Sequence, residues 1–136
     1  MRIMAIDYGD AHTGIAISDP TGLLAGFTTV INAYRPDRVT EQIALLAKEH
    51  RVERLVLGHP INMDGTRGPR SEKAQAMRQL LEETTGLPVV LWDERRTTID
   101  AHQILMSSGK NAKKRKKVVD AVAASLILEG YLGTLH

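Results

Sequence analysis

The chain has no cysteine, so it can form neither disulfide bonds nor thiolate metal sites. Aromatic residues make up only 4% of it, with one tryptophan and one phenylalanine, which leaves few candidates for stacking on nucleic-acid bases. No apolar run approaches the roughly 20 residues of a membrane helix. No basic region followed by a long apolar stretch opens the sequence. These absences predict a cytoplasmic protein with no membrane partner.

The remaining composition is typical of a globular protein. With 136 residues, of which 43% are hydrophobic and 25% charged, the chain is long enough for one core, and we expect a single domain over residues 1–136. The net charge is only +2, but six cations and no acid lie between Lys110 and Lys117. Such a basic segment indicates either a contact with a polyanion or a solvated, lysine-rich loop.

The hydrophobic pattern predicts an α/β protein. Strands are expected at 2–7, 14–18, 23–31, 52–58 and 89–92, and helices over 37–51, around Ala74–Leu81, from a capping box at Thr97 and Asp100, and through Val118, Val122 and Leu126. Strand–helix–strand crossovers after an antiparallel meander predict a mixed five-stranded sheet with helices on both faces.

Three acids follow apolar segments that this topology would bring together. Asp7 ends the first strand, Glu94 lies just beyond the last strand, and Asp120 precedes Ala123 and Ala124 on one helical face. Small side chains there would let the helix approach the sheet closely. Three carboxylates from distant segments suit a Mg²⁺ or Mn²⁺ site. Each acid also has a structural explanation: a turn, a helix N-terminus or a surface ion pair.

Polar and basic residues near these acids are candidates for contacts with phosphate. They are Asn62, Arg67 and Arg70 in a glycine-rich loop and its exit, Arg95 and Arg96 after Glu94, and Lys113, Lys114, Lys116 and Lys117 in the basic segment. Asn62 could equally belong to an ordinary turn. His12 and His59 are further candidates for phosphate binding or proton transfer, although a lone histidine usually has neither role.

Four ordered stretches, "AIDYGDAHTGIAISD", "LVLGHPINMDGTRGPRSEKA", "GLPVVLWDERRTT" and "VVDAVAASLILEGYL", closely resemble the YqgF family. Its members are described as Holliday-junction resolvases and as nucleases that mature the 5′ end of pre-16S ribosomal RNA. The resemblance implies a ribonuclease-H-like fold with a divalent-metal site at Asp7, Glu94 and Asp120. The sequence departs from the family pattern at Ala11, His12 and His59, which leaves the acids untouched.

The favoured hypothesis is a metal-dependent endonuclease that acts on structured nucleic acid, with pre-16S ribosomal RNA preferred as substrate. A Holliday-junction resolvase uses the same chemistry on branched DNA, and the sequence does not separate the two. Two other classes remain open: a non-catalytic RNA-binding factor of ribosome assembly, and an ATPase of the actin-like type, to which "DYGDAHTG" is similar. Either a monomer or a homodimer is compatible with the sequence.

Overall fold

The computed structural model describes residues 1–9, 11–21, 25–59, 68–93 and 112–135, and for 112–120 it describes the backbone alone. The described strands are β1 (Arg2–Asp7), β2 (His12–Ser18), β3 (Ala25–Asn32), β4 (Val52–His59) and β5 (Val89–Asp93). The described helices are α1 (Pro36–Glu49), α2 (Pro69–Thr85) and α3 (Ala112–Leu135). The helix predicted from Thr97 and Asp100 lies outside the described residues.

The five strands form one sheet in the order β3-β2-β1-β4-β5. β1 pairs antiparallel with β2 and β2 with β3, whereas β1 pairs parallel with β4 and β4 with β5. The predicted mixed sheet, with the meander at one side, is therefore confirmed. Because both crossovers are parallel, β1 and β5 run in the same direction and end at the same edge of the sheet.

The sheet separates two hydrophobic clusters. Side chains alternate between the faces of a strand, so Met4 and Ile6 pack against α1 and α2, while Ile3 and Ala5 pack against α3. Helices thus cover both faces, as predicted. The α1/α2 face is built mainly from long aliphatic side chains, and the α3 face contains several alanines.

Helices α1 and α2 bury the residues that their periodicity predicts. Val39, Ile43 and Ala47 are buried in α1, and Ala74, Met77 and Leu81 in α2; Leu46 and Leu80 are only partly buried. Each helix begins with a proline in its first turn, where the missing N–H costs no helical hydrogen bond. Gly86 ends α2 in a left-handed conformation with φ 70°, which glycine adopts without strain.

Helix α3 begins at Ala112, inside the basic segment and before Val118. Its buried residues are Ala123, Ala124, Ile127, Leu128, Tyr131 and Leu132. Val122 and Leu126 are only partly buried, and the side chain of Val118 is not among those described. Trp92 packs edge-on against Tyr131, with ring centroids 6.3 Å apart, as expected for a tryptophan in the core.

Several predicted strand boundaries also shift. β2 begins at His12, two residues early, because His12 pairs with Asn32 of β3. β4 continues through Gly58 to His59, since parallel pairing with β5 extends that far. β3 begins at Ala25 and ends at Asn32. Within the described ranges, no helix is both long enough and apolar enough to cross a membrane.

Candidate functional site: the carboxyl edge of the parallel strands

The candidate site lies where β1, β4 and β5 end. Asp7 is the last residue of β1 and is paired with Gly14 of β2. On the other side of β1, Ile6 is paired with Leu57 of β4. His59, at the end of β4, is paired with Asp93 of β5. In α/β sheets such an edge is where sites form. The structure therefore places Asp7 at the predicted edge.

Strand alternation assigns Asp7 to the α3 face of the sheet. Ala5, two residues earlier, packs in the cluster with α3, whereas Ile6 and Tyr8 belong to the opposite cluster. Asp7 is half-buried. A half-buried carboxylate on this face would point towards the helix that carries Asp120.

Helix α3 packs on the sheet through small side chains. Ala123 and Ala124 are 5% and 0% exposed, and Ala124 packs in the same cluster as Ala5. Asp120 lies one helical turn before these alanines in the sequence of the helix. The helix that carries Asp120 therefore packs on the strand that ends at Asp7. The side chain of Asp120 is not among those described.

Several predicted site residues fall outside the described part of the chain. These are Asn62, Arg67, Glu94, Arg95 and Arg96. Among the residues that are described, no three acidic or histidine side chains lie close enough together to hold a metal ion. The three-acid metal site therefore stays a prediction, with Asp7 placed and its two partners open.

The basic candidates that are described lie on helices. Arg70 is exposed in the first turn of α2. The backbone of the first turns of α3 contains the four candidate lysines, Lys113, Lys114, Lys116 and Lys117. The backbone of this part of the basic segment is therefore helical. Their contact with phosphate remains a prediction.

His59 has a structural environment that the sequence did not indicate. Its Nε2 is hydrogen-bonded to Ser71 Oγ at 2.6 Å, and the two residues are 6% and 0% exposed. This buried bond joins the end of β4 to the first turn of α2, on the face opposite Asp7. No local pattern marks Ser71, because a serine near a helix start is common. The arrangement favours an anchoring role for His59 over phosphate binding.

His12 occupies a different position from His59. Its Nδ1 is hydrogen-bonded to Asn32 Oδ1 at 2.6 Å across the β2–β3 pair, on the exposed surface. His12 is therefore engaged with β3, two residues before the Gly14 that pairs with Asp7.

The fold matches that of solved structures. The structure of T. thermophilus RuvC in complex with a Holliday junction substrate has a TM-score of 0.63 at 17% identity, covering 98% of this chain and 97% of that chain. A ROK hexokinase from Thermus thermophilus has a TM-score of 0.51 at 24% identity, covering 76% of this chain but 38% of that chain. The chain thus has the fold of RuvC, in agreement with the predicted ribonuclease-H-like architecture.

Sequence similarity identifies the family. Residues 1–134 match the family model described as RuvX, Holliday junction resolvase, and the chain belongs to that family. A relative from Halothermothrix orenii, named "Putative pre-16S rRNA nuclease", is 45% identical over 132 residues, 97% of this chain and 94% of the relative. One from Bacillus subtilis with the same name is 44% identical over the full length of both chains. The resemblance found from the four sequence stretches is confirmed.

Proposed function

We propose that the protein is a metal-dependent endonuclease whose metal ligands are Asp7, Glu94 and Asp120. The observation that carries this proposal is the convergence of Asp7 and α3. Asp7 ends a parallel strand on the α3 face, and Ala124, one turn after Asp120, packs in the same cluster as Ala5. Glu94 follows directly on Asp93, the last residue of β5 at the same edge. All three acids are therefore assigned to one end of the sheet.

The donor set fits a hard divalent cation. Carboxylate oxygens are preferred by Mg²⁺ and Mn²⁺ alike, and the chain has no cysteine to favour a softer metal. When bound, such ions supply an activated water and stabilise the leaving oxygen in phosphodiester hydrolysis. The contribution of the protein is to carry these acids at the end of β1, directly after β5 and on α3, elements whose spacing the core fixes.

The substrate that we favour is precursor 16S ribosomal RNA. The relatives that are more than 40% identical over essentially the whole chain are named as nucleases of pre-16S rRNA. A second candidate, branched DNA, is supported by the family description and by the likeness to RuvC bound to a Holliday junction. Both substrates present a structured phosphate backbone, which a protein with few aromatic residues reads by shape and charge.

Phosphate binding is assigned to the basic residues around the same edge. Arg70 is exposed at the start of α2, and Lys113, Lys114, Lys116 and Lys117 lie in the part of α3 that leads to Asp120. The proposed phosphate-binding set also includes four residues that stand next to these elements in the sequence: Asn62, Arg67, Arg95 and Arg96. A backbone phosphate held by the start of α3 would be delivered towards the proposed metal ligands. The whole chain is proposed to act as one nuclease domain.

The ATPase alternative is weaker. The chain covers only 38% of the hexokinase chain with which it shares a fold, so the rest of that kinase has no counterpart here. An ATP-binding assay checks this point. A non-catalytic RNA-binding factor is the third alternative, and it predicts binding without cleavage.

Cleavage of two substrates, side by side, tests the proposal. One is an RNA spanning the 5′ end of 16S ribosomal RNA, and the other is a synthetic four-way DNA junction, each with Mn²⁺ and with chelator. We expect Mn²⁺-dependent cleavage of the RNA that disappears in the Asp7→Asn variant. Preferential cleavage of the junction would replace the RNA assignment by the DNA one. Binding of RNA without cleavage of either substrate would contradict the nuclease proposal.

A further inference from the structure

A cleft on the α1/α2 face opens beside the proposed site. Its volume is about 470 Å³, and it is lined by Tyr8, Tyr34, Pro36, Lys73, Ala76, Met77 and Leu80. The lining comes from three places in the chain: the turn after β1, the connection between β3 and α1, and one face of α2. Two of the three tyrosines in the sequence are therefore brought together.

The two aromatic rings have different surroundings. Tyr34 is 80% exposed, so it contributes little to the core. Tyr8 is partly buried and packs against the core cluster under α1 and α2. Met77, which is 2% exposed, belongs to the same cluster. The cleft thus has an apolar floor fixed by the core and an aromatic side chain at its mouth.

Positive charge lies at the same cleft. Lys73 is exposed and lines it, and Arg70 lies one turn earlier on α2, as its neighbour on the helix surface. On the other side of Tyr34, Arg35 is paired with Asp37 at 2.9 Å. An apolar, aromatic cleft with cations at one side matches a nucleotide, whose base has a π-face and whose phosphate is an anion.

The position of the cleft relates it to the proposed site. Tyr8 follows Asp7 directly, but strand alternation places their side chains on opposite faces of the sheet. A nucleic-acid strand with one phosphate at Asp7 would need to turn over the sheet edge to reach Tyr8. A base stacked inside a duplex cannot enter such a cleft, whereas an unpaired base can be splayed out and stacked on aromatic side chains.

We propose that this cleft binds one unpaired nucleotide of the substrate strand, next to the phosphate that is cleaved. The base stacks on Tyr34 and Tyr8, and its phosphate pairs with Lys73. This inference rests on the proposed function, because it takes a nucleic acid as substrate. It adds a specific requirement: the substrate has a single-stranded nucleotide beside the cleavage position, in RNA or in DNA.

Fluorescence of 2-aminopurine tests the proposal directly. The probe base is placed in a single-stranded overhang next to a duplex, or paired inside the same duplex, in both RNA and DNA versions. Binding is measured in chelator, so that no cleavage takes place. We expect the overhang probe to be quenched on binding, because the base stacks on a tyrosine ring. The paired probe should change little.

Variants assign the effect to the cleft. Tyr34→Ala should weaken binding of the overhang probe by about 5-fold to 150-fold, the range for loss of one stacked base. It should leave binding of the blunt duplex unchanged. Lys73→Gln should reduce the slope of log K against log salt by about 0.7, which is the value for one phosphate of a single strand. The control is Leu45→Ala on α1, which also removes an exposed large apolar side chain, 65% exposed, outside the cleft.

The outcomes distinguish failure of the cleft proposal from failure of the nuclease proposal. If the overhang and the blunt duplex bind equally, and Tyr34→Ala affects neither, the cleft proposal is overturned while the nuclease proposal stands. If Leu45→Ala weakens binding of the overhang probe as much as Tyr34→Ala does, the effect is not local to the cleft. The cleft proposal is overturned in that case too. If the wild-type protein binds neither RNA nor DNA, both proposals fall. A larger effect of Tyr34→Ala on the RNA overhang than on the DNA overhang identifies RNA as the source of the nucleotide.

Discussion

The two faces of the sheet are built from side chains of different size. Towards α1 and α2, the strands present Met4, Ile6, Leu55 and Leu57, all fully buried. Towards α3, the core includes Ala5, Ala16 and Ala124. Small side chains let helix and sheet backbones approach closely, whereas long ones keep a helix further from the sheet.

This difference separates two tasks. On the α3 face, the helix that carries Asp120 packs on the strand that ends at Asp7, which is what a shared metal site needs. On the other face, α2 and the β3–α1 connection leave a cleft of about 470 Å³ with two tyrosines and a lysine. We therefore assign chemistry to the α3 face and recognition of a nucleotide to the α1/α2 face.

Removing an acid from the α3 face should have the largest effect. Asp7→Asn, Glu94→Gln and Asp120→Asn should each lower the cleavage rate at least about 100-fold, since bound metal contributes several kcal/mol to the transition state. The fold should stay intact, and removing one of several neighbouring like charges can even stabilise the metal-free protein. Single-turnover cleavage with Mn²⁺ is the measurement.

The control for these variants is Asp37→Asn, which removes an exposed acid, 60% exposed, at the start of α1. Its cleavage rate should match that of the wild type. Full activity in any one of the three acid variants would remove that residue from the site.

Enlarging one alanine on each face compares the faces directly. Ala124→Leu and Ala47→Leu, at 0% and 5% exposure, should each destabilise the protein by about 1–3 kcal/mol, because both overpack a buried position. Only Ala124→Leu should also lower the turnover of folded protein, by at least about tenfold, since a shift of about 1 Å at α3 displaces Asp120. Chemical denaturation and single-turnover kinetics give the two quantities. Equal turnover in both variants would contradict the different roles of the faces.

The start of α3 should supply affinity rather than chemistry. Changing Lys113, Lys114, Lys116 and Lys117 to Gln should flatten the slope of log K against log salt by up to about 0.9 for each engaged phosphate of a duplex. Turnover at saturating substrate should fall much less. The comparison variant changes the exposed Arg38 and Lys48 of α1 to Gln and should leave the slope unchanged. An unchanged slope in the quadruple variant would show that the basic segment is only a solvated surface.

The smallest effect is expected from two glycines of α3. A Cβ at Gly130 would lie 2.8 Å from Cζ2 of Trp92, whereas one at Gly133 would meet nothing within 4 Å. Gly133→Ala should therefore stabilise the protein by about 0.5–1 kcal/mol through helix propensity. Gly130→Ala should be at least about 1 kcal/mol less stable than Gly133→Ala, because the Trp92 ring must move. Equal stability of the two variants, by denaturant titration, would mean that α3 is not closely packed against β5.

The strands and the first two helices could be predicted because their periodicity is strong and each buries one face. Helix α3 is harder to assign from periodicity. Residues 118–128 are apolar nearly all round, so no stripe selects the inward side, and the small side chains of Ala123 and Ala124 were the feature that indicated it. The helix begins inside the basic segment, where lysine and arginine are good helix formers.

The candidate site was predictable only in part. The topology placed Asp7 at the edge of the sheet because strand order and direction follow from the crossovers. The bond between His59 and Ser71 and the cleft around Tyr8 and Tyr34 could not be predicted, since they join distant segments and depend on tertiary packing. The scarcity of aromatic residues favoured recognition without stacking, whereas the structure brings two tyrosines to one cleft.

Direct measurement of Mn²⁺ binding tests the central claim that Asp7 faces a metal. The wild type, Asp7→Asn and the control Asp37→Asn are each titrated with Mn²⁺ without nucleic acid, and bound metal is followed by calorimetry. We predict that Asp7→Asn weakens Mn²⁺ binding at least about tenfold, which is 1.4 kcal/mol, while Asp37→Asn binds as the wild type does. Equal affinity of all three proteins for Mn²⁺ would contradict the account.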